Sequence, residues 1–215
     1  MVDPRLTSLH ARASIVNTAA RIPCTQAEGP GSRFALWVQG CPLRCPGCCN
    51  PHMLEDRAAE SVTVAALLAE IAEQANRIEG VTFLGGEPFF QAGALAELAR
   101  GVQAMGQSVM VFSGHTLTRL RGADNADYDA LLVHTDLLVD GPYLERLRVT
   151  DRRWIGSSNQ RTHFLSERYR HLEQGPTSWD TGANTVELRL VGGTLTVNGF
   201  PEPGVLRLSG RRDVP

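Results

Sequence analysis

"RFALWVQGCPLRCPGCCNPH", residues 33–52, changes character at one glycine. Up to Gln39 the run is short and apolar, the pattern of a buried strand. From Gly40 onward it packs four of the chain's five cysteines into nine positions, between prolines. Beyond this loop, Val64, Leu67, Leu68, Ile71, Ala75 and Ile78 recur at helical spacing, with Ser61 or Thr63 as N-cap and Gly80 as the stop. "VTFLGG" is a second strand. A second helix carries Leu95, Leu98, Ala99 and Val102 on one face and ends at Gly106. "SVMVF" is a third strand, residues 128–134 are helical, and "DLLVDG" (136–141) is a fourth strand. Strand–helix–strand alternation with short apolar strands predicts an α/β fold with a parallel sheet. Such sheets gather ligands at the carboxyl ends of their strands. The unusual motifs all fall there: the cysteine loop, then "GGEP", "SGH" and "DGPY".

After Tyr143 the alternation fades. Arg146, Arg148, Arg152, Arg153, Arg161, Arg168 and Arg170 make this segment basic, and a solvated face is the plainer reading. "NTVELRLVGGTLTVNGF" (184–200) alternates around a Gly-Gly turn and predicts a β-hairpin. Residues 1–183 read as one core, and 184–215 as a hairpin tail of the same domain or a small appendage.

Composition narrows the function. At 215 residues with 42% hydrophobic content, the chain can bury a full core without staples, so the clustered thiols need another explanation. A formal charge of −2 argues against a nucleic-acid surface. No apolar run is long enough to span a membrane, and the first residues show no signal-peptide stretch. A cytoplasmic location is expected, where clustered cysteines suggest metal or redox chemistry before disulfides. All 21 basic residues counted as Lys+Arg are arginine. A lysine Schiff base and a P-loop lysine are thereby excluded.

Cys41, Cys45 and Cys48 have the spacing C-x3-C-x2-C, with Cys49 directly behind. A closed zinc site wants four ligands, usually in two separated pairs, and no second C-x2-C pair exists here. Three thiolates on a four-iron cluster would leave one iron open, whereas clusters are ordinarily held by four. The open-site reading is favoured. In "FLGGEPFFQ", Gly85 and Gly86 let a ligand approach the backbone, Glu87 can accept from an ammonium group, and Pro88 suits a first helical turn. His52, His115 and His134 are assigned no role.

C-x3-C-x2-C followed by GGEP resembles the radical S-adenosylmethionine superfamily. "EGPGSRFALWVQGCPLRCPGCCNP", "GGEPFFQ", "FSGHT", "DLLVDGPYLERLR" and "WIGSSNQR" together resemble the glycyl-radical activases of anaerobic ribonucleoside-triphosphate reductase, in order and approximate spacing. The resemblance implies a partial, open β/α barrel, a 4Fe–4S cluster on Cys41, Cys45 and Cys48, and an S-adenosylmethionine site at Gly85, Gly86, Glu87 and Pro88. Asn50, Ser113 and Asp140 are further contacts by the same carry-over. It also implies reductive cleavage of S-adenosylmethionine to a 5′-deoxyadenosyl radical, which takes hydrogen from a glycine of a glycyl-radical partner protein. An electron donor such as flavodoxin or ferredoxin would be needed. Two alternatives remain: a stand-alone radical enzyme acting on a peptide or small molecule, and a non-enzymatic zinc or iron–sulfur module. The chain departs from the activase pattern at Cys49, where an aromatic residue is common, and in the tail from about Thr185. Residues 156–161 match a family motif, and a tight turn capped by side chains explains them equally well.

Overall fold

The computed structural model describes residues 14–173, 179–191 and 194–200. Its elements are β1 (Ile15–Thr25), β2 (Arg33–Val38), β3 (Glu60–Thr63), α1 (Val64–Glu73), β4 (Gly80–Gly85), α2 (Ala92–Ala104) and β5 (Ser108–Phe112). There follow α3 (Leu117–Arg121), α4 (Ala126–Val133), β6 (Leu137–Asp140), β7 (Arg161–Phe164), α5 (Arg170–Glu173), β8 (Val186–Val191) and β9 (Thr194–Gly199). The first 13 residues, the Gly192-Gly193 turn and the tail from 201 to 215 lie outside the described residues. Among the described residues no helix is long and apolar enough to cross a membrane.

Side chains alternate across the central strands. Phe34, Leu36 and Val38 of β2, Val81 and Phe83 of β4, Val109 and Val111 of β5, and Leu138 of β6 share one core with Leu67, Ile71, Leu95, Leu98 and Val102 of the helices. The intervening residues Ala35, Trp37 and Leu84 pack on the opposite face with Met53 and Phe112. One face of the sheet is thus covered by helices and the other is left for a site.

The sheet has seven strands in the order β3-β1-β2-β4-β5-β6-β7. Strands β2, β4, β5 and β6 are parallel and in matched register, with Val38 beside Gly85 and Phe112 beside Val139. Their carboxyl ends form one rim. The three outer strands run antiparallel, β1 on β2, β3 on β1 and β7 on β6, so the sheet is mixed rather than wholly parallel. Sequence patterning misses these strands for a physical reason. β1 is half-buried and broken by two register shifts, while β3 and β7 are four-residue polar edges.

Thr63 caps α1, its hydroxyl accepting from the Ala66 amide at 3.2 Å. The helix stops at Glu73, short of the expected Gly80. Amides of Gln74, Ala75 and Arg77 instead bond three residues back, in tight turns. Ile78 still enters the core, which is why the helical spacing of apolar residues runs on past the end of the helix. The tail forms the expected hairpin, β8 against β9.

Candidate functional site

The cysteine loop is a closed excursion from the end of β2. Gly40 N–H donates to Met53 O at 2.9 Å and Cys41 N–H to Leu54 O at 3.1 Å, so its two ends are tied together. Within it the Cys48 amide bonds Cys45 O at 3.2 Å. Cys41 is buried, Cys45 and Cys48 are half-buried, and Cys49 is exposed. Backbone amides face three sulfurs: those of Leu43 and Arg44 at Cys41, that of Tyr143 at Cys45, and that of Asn50 at Cys48, 3.4 Å away. Amides aimed at sulfur favour thiolates. Burial still outweighs them at Cys41 and Cys45 and pushes both thiols up. The Cys49 thiol hydrogen bonds to Cys48, which lowers Cys48 and raises Cys49.

Beside this loop, Gly86 N–H donates to Val38 O at 2.8 Å and Glu87 N–H to Gly40 O at 2.9 Å. A Cβ on Gly85 would strike the backbone at Trp37 and Val38, and one on Gly86 would strike Gly40 O. Gly85 also has φ +106. In this structure the paired glycines let the ends of β2 and β4 close on each other.

The Glu87 carboxylate is buried, with 1% exposure, and joins the ends of β4 and β5. Its Oε1 accepts from Phe89 N–H at 3.0 Å and from the Ser113 hydroxyl at 2.9 Å, while Oε2 accepts from Gly114 N–H at 2.9 Å. Burial pushes the carboxyl up to about 7 against the pull of these bonds. A carboxylate has about four acceptor positions, so one on Oε2 is left. Pro88 follows in a 3₁₀ turn with Glu87 as its cap.

Cys41, Cys45, Cys48, Asn50, Gly85, Gly86, Glu87 and Ser113 all line one cleft of about 1180 Å³. Trp37, Leu84 and Phe112 also line it, and it continues to β1 and to the hairpin. Two expected residues are not in its lining: Pro88, which is buried in the turn after Glu87, and Asp140, which is occupied elsewhere. Its Oδ2 accepts from Leu117 N–H at 2.6 Å and lies 3.0 Å from His163 Nε2, so it anchors α3 and β7. The three sulfurs share the cleft without converging. Among the described residues, no three His, Cys, Asp or Glu side chains are drawn to one metal point. The donors themselves, three thiols each met by backbone N–H, suit an iron–sulfur cluster with one open iron.

The 156–161 segment is a turn capped by its own side chains. Gln160 Oε1 accepts from the amides of Gly156 (2.9 Å) and Ser157 (3.1 Å), and its Nε2 donates to Gly141 O at 3.0 Å. Asn159 Nδ2 donates to Pro142 O at 2.8 Å. These residues hold the loop after β6 and so place the Tyr143 amide at Cys45. Sequence reading missed Glu28, a lone acid before Gly-Pro-Gly. It is buried at 8% exposure, and its Oε1 takes Gly199 N–H from the hairpin at 2.8 Å.

The profile of the 4Fe–4S single cluster domain matches residues 27–163, and the chain belongs to that family. The class is an iron–sulfur enzyme of the radical S-adenosylmethionine kind, as the sequence resemblance implied, and the zinc reading falls away. The anaerobic ribonucleoside-triphosphate reductase-activating protein of Escherichia coli (strain K12) is 28% identical over 150 residues, covering 66% of this chain and 95% of that protein. The pyruvate formate-lyase-activating enzyme of Staphylococcus epidermidis is 34% identical over 117 residues, 52% of this chain and 47% of that one. Among solved structures, QueE from Escherichia coli is similar over 51% of this chain and 58% of that chain, with a TM-score of 0.41 and 21% identity.

Proposed function

We propose that the chain is a glycyl-radical activase. Cys41, Cys45 and Cys48 hold a 4Fe–4S cluster, and Gly85, Gly86, Glu87 and Pro88 form the S-adenosylmethionine site with Asn50 and Ser113 beside it. The observation that carries this reading is the placement of those thiols and the buried Glu87 carboxylate in one cleft at the strand ends. When bound, the cluster supplies the electron that cleaves S-adenosylmethionine to methionine and a hydrogen-abstracting 5′-deoxyadenosyl radical.

The chain's own work is binding and positioning. Glu87, held by Phe89, Ser113 and Gly114, offers the remaining position on Oε2 to an ammonium group. The apolar residues Trp37, Leu84 and Phe112 form a wall of the cleft and help exclude water from it. Asp140 acts at one remove, by fixing α3. The hydrogen atom would come from a glycine of a partner protein, leaving the radical on that glycine and 5′-deoxyadenosine in the cleft, with flavodoxin or ferredoxin as electron donor, in the cytoplasm. In this reading the core is a partial, open β/α barrel, with the C-terminal hairpin as an extension. The stand-alone alternative draws support from the hairpin, whose residues line the cleft; finding a neighbouring gene for a glycyl-radical protein would argue against it.

Anaerobic reconstitution with iron and sulfide tests the proposal. Dithionite and S-adenosylmethionine should then yield 5′-deoxyadenosine. Cys41→Ala, Cys45→Ala or Cys48→Ala should abolish both the cluster's visible absorbance and that product, while Cys49→Ala keeps the absorbance. No 5′-deoxyadenosine from wild type refutes the activity, and retained absorbance in Cys45→Ala refutes the ligand set.

A further inference from the structure

The C-terminal hairpin is held to the rest of the chain differently from any strand of the main sheet. β8 and β9 form a two-stranded sheet of their own, with no ladder to the other seven strands. Among the described residues, none of theirs joins the apolar clusters of the core. Leu188 and Leu190 face solvent instead, 60% and 73% exposed. What holds the hairpin is mostly polar. On one side it meets residues 24–28, at the end of β1. Gln26 N–H donates to Glu187 Oε1 at 2.7 Å, and Asn198 Nδ2 to Thr25 Oγ1 at 2.9 Å. Gly199 N–H donates to Glu28 Oε1 at 2.8 Å, and Arg189 Nη2 to Cys24 O. On the other side the Phe200 ring clasps the loop after β6. The Arg148 guanidinium stands 4.1 Å from its centroid and the Tyr143 ring 6.0 Å. The hairpin thus bridges two walls of the cleft, and Arg189, Asn198 and Phe200 are among the residues lining it.

The chain leading into the hairpin is anchored and then freed. The Trp179 ring packs on Trp154 with centroids 4.8 Å apart and on Phe164 at 5.4 Å. Asp180 Oδ2 accepts from Arg152 Nε at 2.9 Å. Two residues on, Gly182 has φ +115, a conformation that favours glycine. A Cβ there would meet nothing nearer than Arg153 Cδ at 4.0 Å, so the backbone and not the space requires glycine. Just beyond, Asn184 Oδ1 accepts from Trp154 N–H at 2.7 Å, which fixes the closed angle. A firm anchor, a glycine able to change its dihedrals and a polar latch are the parts of a hinge. A few hydrogen bonds of modest net value, without an apolar seam, also give way before the core does.

We propose that the hairpin is a flap across the cleft, turning at Gly182, that opens to admit a protein-sized reactant and closes to shield the thiols inside. The proposal rests on the reading that the reactant is a protein, and it adds what controls entry. The amide bonds of Gln26, Trp154 and Gly199 each join the flap to the body, so all three break together when it swings.

Hydrogen–deuterium exchange of reconstituted holoprotein, resolved to single amides by mass spectrometry, tests the flap. The amides of Gln26, Trp154 and Gly199 should share one protection factor, below that of Phe83 and Val111 in the core. Asn198→Ala should lower it about threefold to tenfold at all three, the size of one hydrogen bond. Phe200→Ala, which removes a clasp but none of the three bonds, should lower all three likewise. In both variants Cys49, which lines the cleft, should react faster with a polymer-linked maleimide and at the wild-type rate with iodoacetamide. Wild-type protection at Phe83 and Val111 would show the variants folded. Latch amides as protected as the core, unequal responses among the three, or unchanged reaction with the polymer overturns the flap. The exchange needs no S-adenosylmethionine. Absence of 5′-deoxyadenosine therefore refutes the activase reading and leaves the flap standing, whereas failed coupling refutes the flap alone.

Discussion

The two ends of the parallel sheet bury polar groups in opposite ways. At the amino ends, Arg33 is wholly buried, yet each guanidinium nitrogen is bonded. Its Nε donates to Thr82 Oγ1 at 2.6 Å, Nη1 to Ser108 Oγ at 3.0 Å, and Nη2 to Val81 O at 2.7 Å. Tyr169 accepts from Nη1 at 3.4 Å and donates on to Glu79. Burial lowers Arg33, and Tyr169 and Glu79 oppose it. At the carboxyl ends, thiols line an open cleft and Glu87 keeps an acceptor position. A satisfied buried charge serves the fold, whereas groups held in place but left unpaired serve a ligand.

The amino end should fail first as structure. Arg33→Leu strands Thr82, Ser108 and Tyr169, and should cost about 3–5 kcal/mol, read as a lower urea midpoint. Whatever remains folded should still load a cluster, the reverse of Cys41→Ala. Loss of loading at unchanged stability would break the contrast.

Glu28 tests the middle of the cleft. Burial raises its carboxyl from 4.5 to about 7. A folded value above the unfolded one means stability present below pH 4.5 that is lost as pH rises through 7. Glu28→Gln can keep an acceptor for Gly199 and escapes that loss. It should therefore gain up to about 3 kcal/mol over wild type near pH 8, with no gain near pH 4.5. Melting temperatures across that range check both the sign and the window.

The smallest effect belongs to the turn at 156–161. Gln160→Ala removes three hydrogen bonds and should cost about 2 kcal/mol. Because the turn places the Tyr143 amide at Cys45, reconstituted protein should also lose its cluster faster in air. Unchanged cluster lifetime would make the turn purely structural.

Much of the site was legible because it lies in local spacing. C-x3-C-x2-C, GGEP and the strand-ending Ser113 are each short patterns next to an apolar run, and all three reach the cleft. Asp140 has the same kind of position, but its carboxylate goes to Leu117 and His163, a choice made by a helix start and an edge strand far away in sequence. The glycines show the same limit. Their need for a small residue was readable, while the backbone that needs it, at Trp37, Val38 and Gly40, was not.

By itself, then, the sequence determined the alternation of strands and helices, the motifs at the strand ends and the hairpin, because periodicity and turn chemistry act over a few residues. Only the tertiary structure decided which edges run antiparallel, which carboxylates are spent on the fold, and that the hairpin walls the cleft. Those outcomes depend on partners tens to more than a hundred residues apart, and satisfaction of a buried polar group can be judged only when its partners are in place.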